Sequence, residues 1–246
     1  VTGAGKRLGA AFAMALAADG WFVRIHFGTS REEAESVAAA IRGGGGRCDL
    51  VQADLADPGA PGRMFAPAEG AAFASLLVNS ASVFSYDAPA TTSHAHLARN
   101  AAINTAAPIM LAQALAAQLP NGKRGLVVNL LDQKLTHLNP DFFAYTVSKA
   151  GLAAATTMLA QAFASRVRVN AIAPGITLPS DDQTEAEFEV AQAMSPLGYG
   201  ATPDDLVTAL RFLISAEATT GETIHVDGGQ SLRGETRDVM YTARGA

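Results

Sequence analysis

Tyr145 and Lys149 stand four positions apart in the run Tyr145-Thr146-Val147-Ser148-Lys149, so on a helix the phenol and the ammonium project from one face. Tyrosine is scarce, with 4 in 246 residues, which makes the pairing informative beside the plain alternative of a surface contact. A phenol near a cation can donate a proton close to neutral pH, because the ammonium stabilises phenolate and draws the tyrosine pKa toward the working range. Reduction of a polar double bond by hydride needs such a donor. Asp132 follows the apolar run Leu126 to Leu131, so it is expected at the carboxyl end of a strand, in the same crevice as Tyr145. There it reads as a second acid or an orienting acceptor, the alternative being an aspartate that caps a turn.

A second kind of chemistry is suggested by Thr2-Gly3-Ala4-Gly5-Lys6-Arg7-Leu8-Gly9. Small residues between a strand and a helix let backbone N–H groups and the helix dipole approach a pyrophosphate, so Gly3, Gly5, Lys6, Arg7 and Leu8 are candidate cofactor contacts. The bland reading is a tight turn with no ligand. Further on, His26-Phe27-Gly28-Thr29-Ser30-Arg31 lacks the acid that would accept from an adenosine 2′-hydroxyl. With Ser30 and Arg31 there instead, and His26 at the strand end, the pattern favours the 2′-phosphate of NADP(H). A solvated Arg31 and a capping Ser30 are the alternative.

These residues need elements to hold them. Leu8, Phe12, Ala15 and Leu16 at helical spacing, stopped by Gly20, predict a helix near 7–19. Phe22 to Phe27 reads as a strand, and Ser30-Arg31-Glu32-Glu33 as a capping box opening a helix to about Arg42. Gly43 to Gly46 punctuate the chain before strands near Cys48 to Gln52, Leu76 to Asn79, Leu126 to Leu131 and Val167 to Ala173. Alanine-rich segments near 96–119 and 142–164 favour helix. Alternation of this kind predicts an α/β fold, a three-layer doubly wound parallel sheet of the Rossmann type in a single domain. Val1-Thr2-Gly3 resembles the end of a buried strand, so strand residues are expected ahead of Val1.

Taken together, the motifs resemble the short-chain dehydrogenase/reductase family over essentially the whole chain. The resemblance implies that Thr2 to Gly9 is the cofactor loop, Asp54-Leu55 an adenine contact, Asn79-Ser80-Ala81 the strand-end motif and Asn104 the helix asparagine. It also implies that Tyr145 is the proton donor, Lys149 the nicotinamide-ribose lysine, and Pro174-Gly175 and Val226-Asp227-Gly228-Gly229 later landmarks. Thr177 is then expected at the carboxamide or a phosphate, and residues 178–200 as a substrate lid, mobile around Pro179 to Thr184. Two departures narrow the reading: Arg7 stands where most members have glycine, and Asp132 where most have serine. Both are similar to the pteridine reductase branch, in which an aromatic ring at the end of Asn79 to Phe84 stacks on the pterin. That gives Arg7, Ser82, Phe84, Asp132 and Tyr145 as candidate substrate contacts.

The composition excludes other classes. With 17% charged residues and a net charge of -5 there is no broad basic face for nucleic acid or an anionic membrane, so the expected partner is a small molecule. No run of about 18 apolar residues or charged leader appears, and Cys48 is alone, which fits a cytoplasmic protein. His94 and His96 lack companion ligands, so no metal is expected, and His225 reads as structural or at a subunit contact. The family resemblance implies a homotetramer through the long helices. The favoured function is NADPH-dependent reduction of a pterin or related heterocycle, with reduction of a 3-oxoacyl thioester or other ketone as the alternative. A non-catalytic NADP(H)-sensing protein is the reading from another class.

Overall fold

A computed structural model describes residues 1–68, 71–180 and 183–244, of Arg244 the backbone alone. The chain alternates strand and helix: α1 (Arg7–Ala18), β1 (Phe22–Phe27), α2 (Arg31–Gly43), β2 (Arg47–Gln52), the short α3 (Ala60–Met64) and β3 (Leu76–Asn79). Next come α4 (His94–Asn100), a π-helical turn over Ala101–Ala106, α5 (Ala107–Gln118), β4 (Gly125–Leu130), α6 (Phe143–Phe163) and β5 (Val167–Pro174). The chain finishes with α7 (Glu185–Ala193), α8 (Pro203–Ser215), β6 (Thr223–Val226) and α9 (Val239–Arg244). The expected helix near 96–119 is therefore three pieces, because the π turn adds a residue to the winding around Asn104.

All strand pairs are parallel, in two ribbons ordered β1-β2 and β3-β4-β5-β6. The first residues join them: His26 N–H donates to Val1 O, Ala4 N–H to His26 O, and Thr2 N–H to Val78 O. Val1 and Thr2 thus lie between β1 and β3. Apolar cores fill both faces, one built on Phe12, Ile25, Phe27, Val128 and Leu210, the other on Leu77, Ile103, Leu111, Val127 and Val169. Strands buried on both faces read as continuous apolar runs, as β4 does. This is the three-layer arrangement of a Rossmann-type domain. A cavity of about 390 Å³ between the amino-terminal halves of β1 and β3, lined by Trp21, Phe22, Met64 and Leu76, lies away from the strands' carboxyl ends.

One local expectation fails, and one candidate cofactor contact lies buried. Ser30 makes no side-chain cap, and Glu33 pairs with Lys6 at 2.6 Å instead of turning back on the helix start. The charge-assisted pair outcompetes the cap, and at ψ 64 the Ser30 backbone is not in the extended cap geometry. His26, expected among the cofactor contacts, is 2% exposed and faces protein on both nitrogens. Its Nδ1 accepts from Gly3 N–H at 3.1 Å and its Nε2 lies 3.0 Å from Ala53 O. That pattern requires the proton on Nε2. The imidazole ties the glycine loop to the end of β2.

Two measurements test these supports. A Cβ on Gly9 would sit 2.2 Å from Gly3 O, a clash with backbone that cannot swing aside, so Gly9→Ala is expected to lose about 3 kcal/mol in a denaturant melt. Burial lowers the His26 pKa from 6.5 to about 4. Its stabilising contribution is full above pH 6.5 and is lost as pH falls through 4, amounting to about 3 kcal/mol. Stability of the native chain should fall across that window, and His26→Gln should decline less steeply; equal slopes would remove the histidine from the account.

Candidate functional site

The carboxyl ends of β3, β4 and β5 and the amino-terminal half of α6 converge on Tyr145. Residues Tyr145 and Lys149 are both buried, at 7% and 3% exposure, on the same face of α6. Tyr145 Oη donates to Asp132 Oδ2 at 2.7 Å, and Asp132 Oδ1 accepts from Lys134 N–H at 2.9 Å. Both carboxylate oxygens are thereby engaged. Lys149 Nζ donates to Leu130 O at 2.6 Å and lies 5.6 Å from the centre of the Tyr145 ring.

The electrostatics differ from the expectation of a phenol acidified by its lysine. Burial, and then the neighbouring Asp132 charge, push the Tyr145 pKa well above 10. Burial likewise raises the Asp132 pKa, against the Lys134 N–H and the Tyr145 hydroxyl, which lower it. Burial lowers Lys149 to about 8, with Asp132 acting the other way. The carboxylate is thus nearer to the phenol in effect than the ammonium is, because it shares a hydrogen bond while the ammonium is spent on a carbonyl.

Asn104 sits in the π turn and is 1% exposed. Its Oδ1 accepts from Val83 N–H at 2.8 Å and from Ser82 Oγ at 3.2 Å, while Nδ2 donates to Val83 O, Asn100 Oδ1 and Ser148 Oγ. One amide therefore fixes the loop after β3 to α6. That loop carries Phe84, 48% exposed, whose ring meets Tyr145 edge-on with centroids 4.8 Å apart. Asn79 bonds Asn129, and Asn129 bonds Thr156, so a buried polar chain registers β3, β4 and α6.

The glycine loop lies against the same strand ends. Gly3 is left-handed at φ 62, and a Cβ there would meet Ala81 Cα at 2.9 Å. Thr2 Oγ1 accepts from Ser80 and Ala81 N–H at 2.9 and 3.0 Å, locking the loop to the end of β3. Gly5 packs against the start of α2, with Ala34 N 3.2 Å from a would-be Cβ. Arg7 keeps a left-handed backbone, φ 52, although it carries a side chain. Its guanidinium donates to Pro179 O at 2.8 Å, spanning from the loop to the segment after β5. Leu8 follows it, half-buried, against the core.

At the end of β1, Arg31 lies 5.1 Å from the centre of the Phe27 ring and donates to Gln52 Oε1 at 2.7 Å, beside Ser30. Asp54 is exposed and bonded to Ala56 N–H and Arg99, and Leu55 is buried below it. Gly175 approaches Asp227 so closely that a Cβ would meet its Cα at 2.8 Å, and Thr177 Oγ1 donates to Gly175 O following Pro174. Of the segment 178–200 expected as a lid, Asp181 and Asp182 lie outside the described residues, and α7 is capped by a reciprocal Thr184–Glu187 pair.

Several participants were not singled out from sequence. Buried Lys134 and Asp141 form a charge group with half-buried Asp238 beside Asp132, and Phe142 stacks on Phe84 with centroids 4.2 Å apart. Phe142 directly precedes α6, a position a reader could have flagged; the link to Asp238, near the far end of the chain, had no local signal. His96 Nε2 lies 2.7 Å from Ser85 Oγ. No helix among the described residues is long and apolar enough to cross a membrane.

Comparison with known proteins follows the same geometry. A curated relative, an uncharacterized oxidoreductase of Methylorubrum extorquens, is 33% identical over 93% of this chain and 95% of its own length. The solved FolM alternative dihydrofolate reductase 1 from Brucella canis, complexed with NADP, is 40% identical with a TM-score of 0.88, covering 97% of this chain and 95% of that one. An angucycline C-6 ketoreductase, LanV, with bound NADP, is 31% identical with a TM-score of 0.83 over 95% of each chain. The short-chain dehydrogenase model described as enoyl-(acyl carrier protein) reductase matches residues 3–231. With that match spanning nearly the whole fold, the chain belongs to the short-chain dehydrogenase/reductase family.

Proposed function

We propose that this protein is an NADPH-dependent reductase of a pterin or related bicyclic heterocycle, with the proton supplied by Tyr145 and Asp132 acting together. The observation that carries the reading is the 2.7 Å hydrogen bond from Tyr145 Oη to Asp132 Oδ2, made beside the exposed ring of Phe84. Similarity to an alternative dihydrofolate reductase supports it, since dihydrofolate is itself a reduced pteridine.

The chain fits the cofactor. Gly3 and Gly9 have no room for a Cβ, so the turn from Thr2 to Gly9 packs tightly on the strand ends, and its N–H groups near Gly5, Lys6, Arg7 and Leu8 would meet a pyrophosphate. Ser30 and Arg31, with no acid at the end of β1, suit a 2′-phosphate. Asp54 and Leu55 would take the adenine end, and Asn79, Ser80 and Ala81 would flank the middle of the cofactor. Tyr145, Lys149, Pro174, Gly175 and Thr177 would take the nicotinamide end. Bound NADPH supplies the hydride.

The residues do the rest. Burial raises the Asp132 pKa, so its carboxyl can hold a proton besides the phenol's, and Tyr145 Oη would deliver its own proton to a ring nitrogen. The Asp132 proton then passes to the Tyr145 oxygen, so the pair ends with one carboxylate and a neutral phenol. Lys149, held on Leu130 O, balances the charge left behind. Asn104 positions Val83 and Ser82, and with them Phe84, whose free face suits a flat heterocycle. Arg7 would meet a phosphate or a polar pterin edge. Exposed Met110 on α5 and Val147 and Met158 on α6 suit contact with further copies of the chain, in line with a tetramer.

The second reading, reduction of a ketone or 3-oxoacyl thioester, is favoured by the similarity to a ketoreductase; in it Asp132 merely orients. NADPH oxidation with dihydropterin, dihydrofolate and a 3-oxoacyl thioester separates the two, and turnover of the thioester alone would remove the pterin reading. Tight NADPH binding with no turnover of any of them would favour the sensing protein. Tyr145→Phe should lower kcat by about 10²- to 10⁴-fold. Asp132→Ala should also slow pterin reduction; an unchanged rate would end the relay. Because the proton is needed, the rate should fall as pH rises through the raised pKa of the pair, the direction given by burial of both groups.

A further inference from the structure

Asp141, 3% exposed, lies in the turn before α6, and its side chain points toward the C-terminal segment. Its Oδ2 accepts from Arg237 Nε at 2.7 Å and from Asp238 N–H at 2.8 Å, while its Oδ1 accepts from Tyr86 Oη at 3.4 Å. Its backbone carbonyl accepts from Lys134 Nζ at 2.6 Å, and the same ammonium reaches Asp238 Oδ2 at 3.3 Å. Burial alone would raise the Asp141 pKa, but Arg237, the Asp238 N–H and Lys134 outweigh it and hold the carboxyl below its ordinary value. A buried anion with this many donors is a fastener.

What it fastens is an aromatic column. Phe142, the next residue, is 4% exposed and left-handed, φ 53, a conformation that a bulky side chain adopts only when its surroundings impose it. Its ring is stacked on Phe84 at 4.2 Å and 14°, and on Tyr241 of α9 at 6.3 Å and 24°. Tyr86 meets both Phe142 and Tyr241 edge-on with centroids 5.4 Å apart. Lys134 Nζ stands 5.5 Å from the Phe142 ring centre, and Arg237 5.0 Å from that of Tyr241. Met240 is buried with Phe142 and Tyr145. The order Tyr241, Phe142, Phe84 leads from the C-terminal helix to the wall of the crevice.

We infer that the C-terminal segment 237–241 is a clasp, closed on Asp141, which braces Phe142 behind Phe84 and so sets the crevice's affinity for a planar substrate, with Asp141 and Tyr241 as positioning residues. This rests on Phe84 being the substrate-stacking ring of the proposed reductase. Neither residue touches the reacting atoms. Their effect is on where a ring lies, hence on KM more than on kcat.

A double-mutant cycle between Tyr241 and Phe84 tests the clasp in the full-length chain. Tyr241→Ala should raise KM about five- to tenfold, with kcat changed less than about twofold and NADPH affinity held, and Tyr241→Phe should restore KM. In a Phe84→Ala background, Tyr241→Ala should add no further loss. The same rise in KM in both backgrounds, or no rise in the native one, would overturn the inference. The cycle is run on whichever compound the native enzyme turns over, so turnover of ketones alone sinks the heterocycle reading while the clasp is still decided. Hydrogen exchange at amides 82–87 needs no substrate: Tyr241→Ala or Asp141→Asn should speed it severalfold, and unchanged exchange would count against the clasp.

Discussion

A phenol and a carboxylic acid 2.7 Å apart in a largely desolvated crevice resist being ionised together, because two negative charges at that distance repel and the nearest cation is bonded elsewhere. The ammonium of Lys149 is close but committed to the Leu130 carbonyl. Much of the surrounding architecture keeps this pair aligned. Helix α6 supplies the phenol, the end of β4 leads to the carboxylate, and the Lys134 N–H holds the carboxylate's second oxygen. A serine in the place of Asp132 would leave a neutral hydroxyl there, with no second acidic proton to offer.

The parallel sheet makes this convergence possible. Parallel strands all present their carboxyl ends to one edge, so residues far apart in sequence meet there without any strand having to turn. The glycine loop closes on that edge through contacts that tolerate little added volume. Gly9 packs on Gly3, Gly3 on Ala81, and His26 pins Gly3 from below. Arg7 is the exception, a residue with a side chain on a left-handed backbone, which costs on the order of 1 kcal/mol relative to glycine. In return its guanidinium spans from the loop to Pro179.

The crevice's aromatic side is built differently, from pieces that do not belong to the sheet. Phe84 comes from the loop after β3, Phe142 from the turn before α6 and Tyr241 from α9. Ring stacking fixes their spacing, and the charges of Asp141, Lys134 and Asp238 hold the pieces together. Both features lie beside the acid pair, so proton chemistry and ring recognition share one boundary. Phe142, with Arg7 one of the two left-handed non-glycine residues among those described, stands at that boundary.

Local patterns in the sequence determined the first four helices and strands, the central strands, the layer architecture and the family resemblance. Apolar runs marked β1, β3, β4 and β5 within a residue or so, and the four-residue step from Tyr145 to Lys149 placed both on one helical face. These are short-range signals, set by backbone geometry and periodicity. Only the tertiary structure decided which neighbour governs Tyr145, that His26 supports the loop from within, that Glu33 leaves Ser30 for Lys6, and that the C-terminal helix reaches Phe142. Each of those depends on burial and on partners distant in sequence, and desolvation has no magnitude until the fold has excluded water.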